Sequence, residues 1–176
     1  MFHTSLSHNT TICKFYTVYH IIFDGCIFLK NTIHERFIMG HLIAGASPVR
    51  EPQSKYFCPE GVYSDPFYPE YMSGTAYIIS GDLISELLHL TYRVKRIFHL
   101  EDVFLTGLLP TALPDVTHVY NAKFGYKPRI MDPCVFQLII TAHEMNPDDL
   151  LSIWNEMQDV DKDLECGPRL SAGNGV

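Results

Sequence analysis

The chain has 176 residues, 47% hydrophobic and 19% charged, with a formal net charge of −7. That length suits one domain with a sizeable core, and that balance excludes general disorder. The acidic surplus, with no basic cluster beyond Arg93-Val-Lys-Arg96, argues against nucleic acid as a partner.

Residues 1–36 carry weak periodicity and stay unassigned. Within them Phe15 to Leu29 is mostly apolar between Lys14 and Lys30. A membrane-spanning helix needs about 20 apolar residues, and this shorter run holds His20, Asp24 and Gly25, so a buried strand or a misassigned segment is preferred over an anchor. The first dozen residues are polar and do not read as a cleavable signal peptide. The one sequon, Asn9-Thr-Thr11, is usable only in the secretory lumen.

From Phe37 the pattern becomes continuous. Phe37-Ile-Met-Gly-His-Leu-Ile43 reads as a buried strand ending at Gly45, and Lys55-Tyr-Phe57 as a possible short strand. Pro59, Gly61, Pro66 and Pro69 then impose irregular loop up to Tyr71. Thr75 to Ile79 reads as a strand, followed by a helix from near Ser80 with Ser80 or Asp82 as its cap. Glu101 to Leu109 is apolar at helical spacing, with two acids in its first turn and Pro110 to end or kink it. Val135 to Ile140 reads as another buried strand. Asn146-Pro-Asp-Asp149 supplies cap, first-position proline and acids for a closing helix, with Leu150, Leu151, Ile153, Trp154 and Met157 as its apolar face. From Gln158 onward the composition predicts a disordered tail. Strands alternating with helices indicate an α/β fold with a mixed sheet.

Five cysteines (Cys13, Cys26, Cys58, Cys134, Cys166) show no Cys-x-x-Cys spacing, which argues against a zinc site. Their odd number forbids full internal pairing.

Two motifs carry the chemistry: Tyr68-Pro-Glu-Tyr-Met-Ser-Gly-Thr-Ala-Tyr-Ile-Ile-Ser80 and, two dozen residues on, Phe98-His-Leu-Glu-Asp-Val-Phe-x-x-Gly107. Together they resemble the inverting β-1,3-glycosyltransferases of glycosyltransferase family 31. There the first motif runs roughly Tyr-Pro-x-Tyr-Cys-Ser-Gly-Gly-Gly-Tyr-Val-Leu-Ser and the second Glu-Asp-Val-x-x-Gly. The resemblance covers residues 37–157, the C-terminal part of such a domain. It implies a partial nucleotide-diphospho-sugar transferase (GT-A-like) sheet whose N-terminal nucleotide-binding half, with its Asp-x-Asp motif, is missing. Asp24 is the one acid near the expected place, and residues 1–36 read as a foreign start. Met72 replaces the family's cysteine, and the glycine triplet is reduced to Gly74-Thr75-Ala76.

By this resemblance Asp102 is the catalytic base, taking the proton of the attacking acceptor hydroxyl, and Glu101 supports it. Taken alone, the two acids would only complement a helix dipole. His143 is a candidate ligand for Mn²⁺ bound to the donor diphosphate, against the plainer reading of a hydrogen-bonded core histidine. His118 is a weaker candidate, and His99 reads as structural or acceptor-lining. Arg50, Lys55 and Tyr56 match a basic-aromatic patch that meets diphosphate or acceptor oxygens, or else are exposed loop residues. Tyr71, Ser73 and Gly74 are placed at the substrate, Tyr71 by stacking and Gly74 by close backbone approach. The implied function is transfer of galactose or N-acetylhexosamine from a UDP-sugar to a glycan, glycoprotein or glycolipid hydroxyl, in β-1,3 linkage with inversion. The implied setting is the Golgi lumen, as a type II membrane protein with a signal-anchor. The alternative is a catalytically inactive fragment that binds a glycan or a partner. A metal-dependent hydrolase built on Glu101, Asp102 and His143 lacks the clustered ligands it would need.

Overall fold

A computed structural model describes residues 35–159 together with Cys166. The described residues up to Asn121 form one compact unit, and those from Ala122 on belong to a second. The expectations for residues 1–34, including the apolar run, lie outside the described residues, as does the tail from 160 on, save at Cys166; Gln158 and Asp159, assigned to that tail, instead end the closing helix. Among the described residues no helix is long and apolar enough to cross a membrane.

The first unit is built on a mixed three-stranded sheet in the order β2-β1-β3. Strand β1 is Phe37–Ile43, as its apolar run predicts, and it is central. It pairs antiparallel with β2, Tyr71–Ile79, and parallel with β3, Thr117–Tyr120. Strand β2 therefore begins four residues before the predicted Thr75. Its start was hidden because Tyr71 and Met72 are separated from the rest of the strand by a break in register. Gly40 pairs with Tyr77 but Leu42 pairs with Met72, so Ser73 to Ala76 bulge from the ladder opposite His41. Such a bulge breaks the alternation on which strand prediction rests and re-aims the residues it contains.

Helix α1, Gly81–Thr91, follows β2 directly and buries Leu83 and Leu87. The predicted capping is corrected. Ser80 occupies the N-cap without a side-chain cap bond. Its hydroxyl instead accepts from the Phe37 N–H at 3.0 Å, while its own N–H donates to the Phe37 carbonyl at 2.9 Å. Asp82 is likewise diverted, accepting from the Arg36 N–H at 3.0 Å. Ser80 thus ties α1 to the first residue of β1, and Asp82 ties it to the residue before that strand. The demand of a buried strand N–H outweighs that of an exposed helix end.

The segment Lys55 to Phe57 is turn, with only an isolated bridge between Val49 and Phe57, so the short strand expected there is absent. Loop residues 58–70 lack regular structure, as their prolines predict. The predicted helix at Glu101 is present but changes pitch: α2, Glu101–Val103, runs into a π turn, Phe104–Leu108, and a 3₁₀ turn, Pro110–Ala112. The core of this unit includes Ile38, Met72, Leu83, Val103 and Phe104.

In the second unit the predicted strand Val135–Ile140 is absent: Val135 and Phe136 end a short helix, α3, Pro133–Phe136, and 137–140 are turn and irregular. Asp132 caps it by accepting from the Cys134 N–H at 2.8 Å, with Pro133 in the first turn. A short buried apolar run does not separate strand from helix by periodicity, and here the Asp-Pro start decides. Helix α4, Pro147–Asp159, begins as predicted, with the Asn146 side-chain oxygen accepting from the Asp149 N–H at 2.8 Å. Its buried face is narrower than predicted. Ile153 and Met157 are buried against Phe136, Ile139, Ala142 and Met145, whereas Leu151 and Trp154 are exposed. Cys134 is disulfide-bonded to Cys166, a pairing that spacing alone did not indicate.

Candidate active site

The bulge in β2 and the first turn of α2 meet at one point. Gly74 donates its N–H to Asp102 Oδ2 at 3.1 Å. The other carboxylate oxygen, Oδ1, accepts from the Val103 N–H at 2.9 Å. A Cβ on Gly74 would lie 3.0 Å from Asp102 Oδ2 and 3.3 Å from both Cβ and Cγ of that side chain. The glycine is thus the condition for this close approach. The loop-to-helix junction fixes the direction of Asp102 and leaves it half-buried.

Three further side chains border the pair. Tyr77, on the β2 side, donates its hydroxyl to Glu101 Oε1, and Glu101 itself is exposed. Tyr71 is half-buried, and its phenol is pushed up to about 12 by burial, then by the Asp102 charge and by Tyr56. Tyr71 therefore stands in the field of the Asp102 carboxylate as a neutral hydrogen-bonding group. Ser73 is buried, its hydroxyl 3.2 Å from that of Thr75, so it supports the bulge from within.

Gly107 plays the same part for the helix that Gly74 plays for the strand. A Cβ there would meet the Tyr71 Cβ at 3.0 Å, so the π turn packs directly on the start of β2. The span Glu101 to Gly107 is one residue longer than Glu-Asp-Val-x-x-Gly. A π turn closes its hydrogen bond one residue wider than an α turn, and Leu109 N–H reaches the Phe104 carbonyl at 2.9 Å.

The other predicted residues fall elsewhere. Arg50 donates to the carbonyls of Cys58 at 2.6 Å and Tyr63 at 2.8 Å, holding the proline-rich loop closed. Lys55 places its ammonium over the Tyr56 ring, 4.7 Å from the centroid, and both side chains are exposed. His99 is exposed and lines a small groove of about 180 Å³ with Phe57, Pro59, Val62, Arg96 and Ile97. His118, on β3, directs Nε2 at the Thr106 carbonyl at 2.5 Å. A carbonyl only accepts, so Nε2 carries the proton and serves a structural bond.

His143 lies in the second unit, before α4 and not at the end of a strand. Its Nδ1 is 3.9 Å from the Glu144 carboxylate. Among the described residues no group of three or more His, Cys, Asp or Glu side chains is arranged to hold a metal ion. The residue that the sequence reading missed is Thr106, and a threonine in an apolar helix was the available signal; Gly107 stood in the second motif without a role assigned to it.

Comparison with known proteins agrees with the motifs. A family model described as galactosyltransferase matches residues 21–119. Beta-1,3-galactosyltransferase 1 of Homo sapiens is 35% identical over 131 residues, covering 74% of this chain and 39% of that protein. Lactosylceramide 1,3-N-acetyl-beta-D-glucosaminyltransferase of Rattus norvegicus is 33% identical over 134 residues, covering 74% of this chain and 34% of its own length. Beta-1,3-galactosyltransferase 2 of Mus musculus is 31% identical over 123 residues, covering 69% and 29%. The chain thus spans well under half the length of these curated relatives.

Proposed function

Because the chain belongs to the galactosyltransferase family, we propose that it carries the acceptor-activating part of a β-1,3-glycosyltransferase, with Asp102 as general base. The substrate pair in this reading is a UDP-sugar, bearing galactose or N-acetylhexosamine, and a glycan hydroxyl. Asp102 takes the proton of that hydroxyl, and the oxygen attacks the anomeric carbon on the face opposite the diphosphate. The new glycosidic bond forms as the old carbon–oxygen bond breaks, and UDP leaves with the electron pair. One inversion results.

A single observation carries the reading. Each Asp102 carboxylate oxygen accepts one backbone N–H, from Val103 and from Gly74. A carboxylate oxygen has a second lone pair, so each can still receive a proton from substrate. Two fixed donors keep the base in one orientation, which is the requirement for proton transfer in a defined geometry. Glu101, oriented by Tyr77, and Tyr71 border the place where the acceptor would lie. Lys55, Tyr56 and the Gly74 backbone complete the proposed substrate contacts, while Arg50 and Ser73, engaged within the loop and the bulge, shape the site from behind.

A divalent cation such as Mn²⁺ would neutralise charge on the departing diphosphate. His143 is its proposed ligand, but one imidazole does not constitute a site, and the described residues offer no cluster to complete it. In the full setting the reading places the protein in the Golgi lumen, membrane-anchored in type II orientation, on a GT-A-like sheet.

Asp102→Asn tests the base. It keeps the shape and one accepting oxygen, gives up one of the two backbone N–H contacts, and cannot take the proton, so transfer should fall about 10²–10⁴-fold with the circular-dichroism spectrum unchanged. Near-wild-type transfer by that variant would falsify the assignment. The missing ligand cluster favours a second reading, a glycan- or partner-binding module without activity. Glycan binding that persists with EDTA and without UDP, in a chain that transfers nothing, would establish it instead.

A further inference from the structure

Thr106 is fully buried and lies one turn beyond Asp102. Its hydroxyl accepts from the Met72 N–H at 2.8 Å and donates to the Asp102 carbonyl at 2.6 Å, with a longer 3.5 Å approach to the Met72 carbonyl. One side-chain oxygen thus bonds the first residue before the β2 bulge to the residue that bears the carboxylate. Met72 is itself fully buried and two positions from Gly74. The Gly74 N–H to Asp102 bond and the Tyr77 hydroxyl to Glu101 bond also join β2 to the start of the helix.

The other side of Thr106 is fixed as well. In a regular α-helix the Thr106 carbonyl would accept from the N–H four residues on, which is Pro110 and has none. The His118 ring on β3 donates to that carbonyl instead. Strand β3, the π turn and strand β2 are therefore joined in one series through a single threonine.

We propose that Thr106 is the positioning residue for Asp102, its hydroxyl setting the bulge and the helix at the separation that brings the Gly74 N–H onto Oδ2. Thr106 touches no substrate atom in this scheme and acts only through Asp102 and Met72. Thr106 sets the register of the two backbone segments whatever the chemistry of Asp102, whereas its effect on transfer rests on Asp102 being the base.

The test is amide hydrogen exchange of Gly74, followed by NMR on the full chain, in Thr106→Val and Thr106→Ser. The valine variant keeps the shape and loses the hydroxyl; the serine variant keeps the hydroxyl. Gly74 exchange should accelerate at least tenfold in Thr106→Val and stay within twofold of wild type in Thr106→Ser. Where transfer is measured, kcat should fall at least tenfold in Thr106→Val with KM within twofold, and Thr106→Ser should restore it. Unchanged Gly74 exchange in Thr106→Val overturns the proposal whatever happens to transfer. Should valine not be tolerated, Thr106→Ser against Thr106→Ala makes the same one-oxygen comparison. Transfer that survives Asp102→Asn, with Gly74 exchange still responding to Thr106, would remove the base assignment and leave the positioning role standing.

Discussion

Gly74 and Asp102, separated by 28 residues in the chain, are in direct contact, the glycine N–H donating to the carboxylate at 3.1 Å. The contact exists because three circumstances coincide. The β2 bulge takes Ser73 to Ala76 out of register with β1, Gly74 has no Cβ to hold the helix away, and α2 begins with the carboxylate facing the bulge. Gly74→Ala would insert a carbon 3.0 Å from Oδ2, and since Asp102 is also held by the Val103 N–H, the carboxylate must rotate or the segments must part. A misplacement approaching 1 Å costs on the order of 10²-fold in rate. We expect a loss of that order in kcat with a small change in Tm; a Gly74→Ala variant with full activity would mean that the contact has no part in transfer.

Tyr71 makes the site sensitive to alkali. Its phenol ionises near 10 when unfolded and is pushed up to about 12 in the fold, chiefly by burial and next by the Asp102 charge. A raised pKa means that its contribution to stability is complete below the unfolded value. It is then lost as pH rises from about 10 toward about 12, where the unfolded chain sheds the proton first. The urea midpoint should decline across that window in the wild type and decline less in Tyr71→Phe. Equal slopes in the two proteins would remove Tyr71 as the cause.

Ser80 and Phe37 exchange both backbone and side-chain hydrogen bonds in a buried setting. Ser80→Ala would leave the Phe37 N–H without its acceptor, which costs about 1–3 kcal/mol. Chemical denaturation should report that loss, and Ser80→Thr should retain part of the stability. A loss below about 0.5 kcal/mol would show that another group or water takes over the bond.

The disulfide between Cys134 and Cys166 closes a loop with a sequence separation of 32, and Cys58 is a buried free thiol in the other unit. Cys134→Ser should destabilise the second unit by about 2–4 kcal/mol through the loop entropy released on unfolding. Reductant should lower the melting temperature of the wild type toward that of Cys134→Ser, and leave the variant unaffected. A wild type indifferent to reductant would indicate that the bond adds no stability.

Much of this was legible in the chain. The run Phe37 to Ile43 is apolar enough to specify a central strand, and Asn146-Pro-Asp-Asp149 specifies a helix start, because both signals are local. The pairing of Ser73-Gly74 with Glu101-Asp102 in one site was legible only through the resemblance of two motifs. Sequence alone did not decide why a glycine is needed there, since the answer lies in an atom of Asp102, 28 residues away. Nor could it place Ser80, whose hydroxyl is drawn from the helix end to a strand N–H, or reveal that Val135 and Phe136 belong to a helix. Local propensity is set by neighbours along the chain. The register of the bulge, the pitch change forced around Pro110 and the threonine that joins them are set by which segments pack together, and only the tertiary structure decides that.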